Sequence, residues 1–179
     1  MSGQAESSNV ADQLVGLSTT LCTELANYLI GRGYFLKLNH IGLILQECYA
    51  AALCILSFRD GAFSSRDQTS AMIAATSGPI REWLMGVYAA SRRDFDYESL
   101  AAEIADGLEA HYTRWCEQVT GGEDIEPGHA GRWIPAATSV CIRNITSALE
   151  QELDINLSYE LGELNALIYR RIAPEQAPA

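Results

Sequence analysis

Apolar residues fill one stretch of the chain almost without interruption. From Ile41 to Phe58 only Gln46, Glu47 and Ser57 are clearly polar. A helix that is apolar nearly all round must be buried, in a protein core or in lipid. Elsewhere the apolar positions form single stripes at helical spacing. Leu14, Leu17, Leu21, Leu25 and Tyr28 fall at i, i+3, i+7, i+11 and i+14, which is one face of a helix. Asn9 is placed to cap that helix, and Gly31 and Gly33 to end it. Asn39 is placed to cap the central one.

After the turn at Asp60-Gly61 a short helix is expected over Arg66–Thr76. Ser77-Gly78-Pro79 then reads as a stop and restart, followed by a helix from Pro79 to Ala90. Asp96 caps an acidic helix, Tyr97 to Val119, whose stripe runs through Tyr97, Ala101, Ile104, Leu108, His111, Trp115 and Val119. Gly121 to Pro135 is the longest expected loop. A helix follows from Pro135 to about Leu153, and a last one from Tyr159 to Ile172 with Ser158 as its cap. No segment reads as a strand. The expected fold is all-α: a single-domain bundle of six to seven helices around the buried central helix, 41–58. Residues 9–172 form the domain, and 1–8 and 173–179 read as disordered tails.

Length and composition agree with this. A chain of 179 residues with 48% hydrophobic and 20% charged residues can bury a full core without disulfides or metal. A membrane span is the competing reading for Ile41–Phe58. Glu47 in its middle and the lack of flanking basic clusters argue for a buried helix instead. Five scattered cysteines without C-x-x-C spacing, all in apolar helical settings, read as free thiols in a reducing cytoplasm. The N-terminus lacks a basic region followed by an apolar run, so no secretory signal is expected.

The net charge is −11, which disfavours a nucleic-acid partner. It is concentrated. Between Asp94 and Glu126 ten acids face one base, Arg114, for −9. This segment carries the first functional expectation, a non-enzymatic interaction or regulatory protein of adaptor, chaperone or immunity type. In that reading Glu103, Asp106, Glu109 and Glu117 form an acidic docking face for a basic protein, with Arg132 and the aromatic anchor Trp133 beside it. Negative results support a non-enzyme. There is no phosphate loop, dinucleotide fingerprint, nucleophile elbow, H-E-x-x-H or zinc spacing. No cofactor or metal is expected.

The alternative is a small-ligand or enzymatic helical domain with a pocket between helices. His40 and Glu47, seven residues apart, share one helix face. They meet His111 only if the central and acidic helices pack side by side, and Cys116 completes the candidate lining. A second alternative is a homo-oligomeric assembly subunit, paired through the Leu14–Tyr28 stripe.

Tyr28-Leu29 with Arg32-Gly33-Tyr34, Ile104-Ala105-Asp106 with Leu108, and Gly131-Arg132 look somewhat like short motifs of the Bcl apoptosis regulators. These residues cover under a tenth of the chain. The Asn-Trp-Gly-Arg groove motif of that family is missing. The gap from Asp106 to Gly131 is too short for the two helices that should intervene. The fold and function are therefore read without it.

Overall fold

The computed structural model describes the backbone of residues 2–60, 65–90, 96–121 and 130–172, and the side chains of 9–57, 65–90, 96–121 and 133–172. Among the described residues there are seven helices and no strand: α1 (Ser2–Gly31), α2 (Leu38–Asp60), α3 (Arg66–Ala89), α4 (Tyr97–Asp106), α5 (Leu108–Thr120), α6 (Ala130–Leu153) and α7 (Leu161–Ile172). The loop residues 122–129, the Arg132 side chain and residues 173–179 lie outside that description.

Helix α2 is the centre. From Ile44 to Leu56 every residue except Gln46 is buried. It packs against α1, α6, α5 and α4, while α3 leans on α4 and α1, and α7 on α1 and α6. The stretch Leu38–Ser57 is long and apolar enough to cross a bilayer, but 78% of it is buried inside the bundle. It is the core helix of the fold, with most of its apolar circumference met by protein. Several polar groups in the core are satisfied between helices or within their own helix. The Tyr49 and Thr76 hydroxyls lie 2.6 Å apart, and the Ser18, Thr138 and Thr146 hydroxyls donate to carbonyls one turn back. Burial pushes the Cys22, Cys48 and Cys54 thiols far above the usual thiol range, so these cysteines behave as small apolar residues.

Several helix ends differ from expectation, each for a physical reason. Helix α1 begins at Ser2, so residues 2–8 continue the helix instead of forming a tail. Asn9 is inside it, and its Oδ1 accepts from Gln13 Nε2 at 3.5 Å rather than capping. Arg66–Ala89 is one helix with Pro79 within it. The buried residues Met72, Ile73, Thr76, Ile80, Leu84 and Tyr88 form a stripe that runs straight through the proline. Burying that stripe outweighs the roughly 3 kcal/mol that an internal proline costs.

The acidic helix is broken at Gly107 into α4 and α5. Gln46 of α2 donates to the Ile104 carbonyl at 3.3 Å, and a foreign side chain on that carbonyl interrupts the helical ladder. Helix α6 starts at Ala130 rather than Pro135, because Trp133 and Ile134 are buried and extend its apolar face toward the N-terminus. Helix α7 starts two residues later than expected. Ser158 donates its backbone N–H to Asn156 Oδ1 at 2.8 Å, while the Glu160 carbonyl accepts from Leu164 N–H.

Helix α2 approaches α4 closely at Gly42. A Cβ there would overlap Ile104 Cδ1 and come within 3.1 Å of the Tyr88 hydroxyl. Gly42→Val is expected to cost about 1–3 kcal/mol through overpacking, read as a lower urea midpoint with an unchanged slope. A neutral result would mean that α2 and α4 are further apart.

The far pole of the bundle is tied by Glu160, which is buried at 3% exposure. It accepts from the Tyr28 hydroxyl, from Arg32 Nε at 3.2 Å and from the Tyr34 hydroxyl at 3.4 Å. The Tyr28 bond, with Arg32 adding to it, lowers the carboxyl pKa below its ordinary value of 4.5. A depressed carboxylate pKa stabilises the fold above the unfolded value, and that stability is lost as pH falls through the folded value. Glu160→Gln is therefore expected to be less stable than wild type at pH 6. The gap should close as pH drops below about 4.5. A gap independent of pH in urea titrations would show that the ionised form contributes nothing.

Candidate functional site

Among the described residues of α2, Glu47 is the acidic side chain that points into the bundle, and it is 4% exposed. Taking a carboxylate out of water is costly unless donors replace its hydration. Two side chains supply them, and a third lies close by. Trp115 Nε1 of α5 donates to Glu47 Oε2 at 3.0 Å, and Asn144 Nδ2 of α6 donates to the same oxygen at 3.1 Å. His111 Nε2 of α5 lies 3.1 Å from Oε1. That imidazole nitrogen is buried without an aligned hydrogen bond, so its contact with Glu47 is close but off-axis. Asn144 Nδ2 also donates to Gln118 Oε1 at 2.8 Å, joining α5 to α6 above the carboxylate.

The local sequence explains the placement. His111, Trp115 and Gln118 recur at i, i+4 and i+7 of α5 and so face one side. Trp115 is held by burial (1% exposed) and by stacking on Tyr112, with ring centroids 6.4 Å apart. A cleft of about 400 Å³ opens over the carboxylate between α2, α5 and α6. Besides Glu47 and His111, its polar lining is Gln46, Arg114, Gln118, Asn144, Ser147 and Gln151. Its volume falls in the range of small-molecule sites, and its mouth is open to solvent.

Of the four residues expected to line a pocket, the structure brings together two, Glu47 and His111. His40 and Cys116 are elsewhere. His40 is 1% exposed; its Nδ1 accepts from the Lys37 backbone N–H at 3.0 Å and its Nε2 lies 2.8 Å from Glu152 Oε2. It staples the start of α2 to the end of α6, about 10 Å along the helix from Glu47 at 1.5 Å per residue. Cys116 lies with Tyr112 and Cys54 on the other side of α5, and burial raises its thiol pKa.

The acidic face is also altered. Glu103, Asp106, Glu109 and Glu117 are all exposed, but the break at Gly107 divides them between α4 and α5. Trp133 is not a surface anchor: it is 4% exposed and part of the core, because α6 begins before it. The Arg132 side chain lies outside the described residues. The Leu14–Tyr28 stripe is likewise core, with Leu14, Leu21 and Leu25 fully buried within the chain.

Sequence reasoning missed Trp115, Gln118 and Asn144 as the shell of Glu47. A signal existed for Trp115: its stripe on the acidic helix, four residues from His111, put an N–H donor beside any buried carboxylate. Asn144 gave no such signal, since its position depends on how α6 crosses α2. Among the described residues no group of three or more His, Cys, Asp or Glu side chains is arranged to hold a metal ion.

No family model, no curated protein and no solved structure matches this chain.

Proposed function

We propose that the chain is a binding domain for a small polar molecule whose cationic nitrogen sits against Glu47 in the α2–α5–α6 cleft. One observation carries this reading: a buried carboxylate with one oxygen left under-used at the floor of a roomy cleft. A carboxylate offers about four acceptor sites. Trp115 and Asn144 occupy two of them at Oε2, while Oε1 has only the off-axis imidazole of His111. A charge-assisted bond from an ammonium or guanidinium group would complete it. Buried free thiols fit residence in a reducing cytoplasm.

The test is a thermal-shift and calorimetric screen of amines, guanidinium compounds and amino acids on wild type and Glu47→Gln. The variant keeps the shape of the side chain and removes its charge. A compound that raises the melting temperature of wild type but not of Glu47→Gln supports the reading. Equal responses from both proteins, or no response from either, would refute it.

A second reading rests on the exposure of Glu103, Asp106, Glu109 and Glu117, as an acidic docking face for a basic protein. Its binding would weaken with salt. Reversing Glu109 and Glu117 to Lys should abolish it, and an unchanged affinity would leave these acids as solvated surface.

A further inference from the structure

The cleft carries a second charge that the proposed function does not use. Arg114 lines it from α5, one turn from His111 and next to Trp115. Its side chain is exposed, and none of the described carboxylates is paired with it. It is also the one base in the −9 segment from Asp94 to Glu126. An arginine among so many acids that pairs with none of the described ones is available to a ligand. The lining thus has a buried negative charge at its floor and a positive charge at its rim. The groups around them include the carboxamides of Gln46, Gln118, Asn144 and Gln151 and the Ser147 hydroxyl.

Each simpler ligand meets an obstacle. A monocation seated on Glu47 finds Arg114 in the same cleft, and like charges within a partly enclosed site cost free energy. A free anion seated on Arg114 meets Glu47, and its approach crosses the field of the surrounding acids. A zwitterion meets neither. It is neutral overall, so the acidic surface does not repel it. Its two ends match the two charges, and a planar guanidinium is the group best shaped for a carboxylate. The carboxamides that line the same cleft donate and accept, so they suit either end or a polar side chain.

We propose that the ligand of this cleft is a small zwitterion of amino-acid type, with its ammonium on Glu47 and its carboxylate on Arg114. This rests on the proposed function and goes beyond it, because that reading requires only the cationic nitrogen.

The test uses the full chain and three matched sets of probes: free amino acids, the same compounds as their decarboxylated amines, and the same compounds N-acetylated. The readout is the indole N–H signal of Trp115, which sits on the reporter oxygen of Glu47. The expected result is saturable binding of at least one free amino acid. Its amine and its N-acetyl form should bind roughly tenfold or more weakly, the loss of about one good charged contact. Arg114→Gln should remove the preference for the amino acid over its amine, while Glu47→Gln should remove the preference over the N-acetyl form. Arg114 is exposed, so its variant is expected to keep the wild-type melting temperature. Amines that bind as well as their amino acids, with Arg114→Gln indifferent, would overturn the zwitterion and leave the Glu47 reading standing. No response to any probe would overturn both.

Discussion

Leu53→Ala is expected to lower stability by about 2–5 kcal/mol, the range for emptying a fully buried leucine site. Leu53 is 0% exposed and lies mid-way along α2, where helices on several sides hold the surrounding backbone. Such a site collapses poorly around a void, so the cost should fall in the upper half of that range. The comparison is Leu161→Ala at the start of α7. That side chain is 40% exposed and should lose about 1 kcal/mol or less, in line with the area it buries. Urea unfolding reads both. Equal losses at the two positions would mean that α2 is not the organising element of the core.

The second large effect is at Glu47. Glu47→Ala removes the acceptor of two side-chain donors at once, Trp115 Nε1 and Asn144 Nδ2. A buried donor left without a partner costs about 1–3 kcal/mol. The Trp115 indole is in that position, while Asn144 retains Gln118 Oε1. The expected loss is about 2–4 kcal/mol, adding the lost packing of the side chain to the orphaned indole. Glu47→Gln keeps an acceptor oxygen and should cost clearly less. Trp115→Phe on the Glu47→Ala background should recover part of the loss, since it deletes the orphaned donor. Equal losses for the Ala and Gln variants would show that these hydrogen bonds contribute nothing to folding.

The parts of the fold that were legible from sequence are those decided by burial alone. Ile41–Phe58 has so few polar residues that it must be buried, and Glu47 within it favours a protein core over lipid. The element boundaries were less legible because tertiary contacts decide them. The break at Gly107 depends on Gln46 reaching across from α2 to the Ile104 carbonyl, a contact that no local pattern in Tyr97–Val119 contains. Pro79 is a strong local stop signal, but the stripe from Met72 to Tyr88 is buried as one unit, and its burial outweighs the proline. A helix start at Pro135 puts Trp133 on the surface, whereas the helix begins at Ala130 and buries it. The spacing of Trp133, Ala137 and Cys141 at i, i+4 and i+8 already continued the apolar face of α6 beyond that proline.

The candidate site was half legible for the same reason. Glu47 stands out as an acid in an apolar helix, and His111 as a polar residue on an apolar stripe. Their meeting needed the relative rotation of α2 and α5, which the sequence leaves open. His40 shares a face with Glu47, yet a seven-residue spacing places it two turns away, beside the end of α6 instead of the cleft.

Helices α2, α5 and α6 are held around Glu47, with the Trp115 indole donating to it. The most direct measurement is the ¹H–¹⁵N spectrum of the three indole N–H groups, Trp83, Trp115 and Trp133, in wild type and Glu47→Gln. The Trp115 signal, assigned by its loss in Trp115→Phe, is expected to exchange slowly with solvent and to move most when the charge is removed. An unmoved Trp115 signal, or one that exchanges as fast as a free indole, would contradict this arrangement.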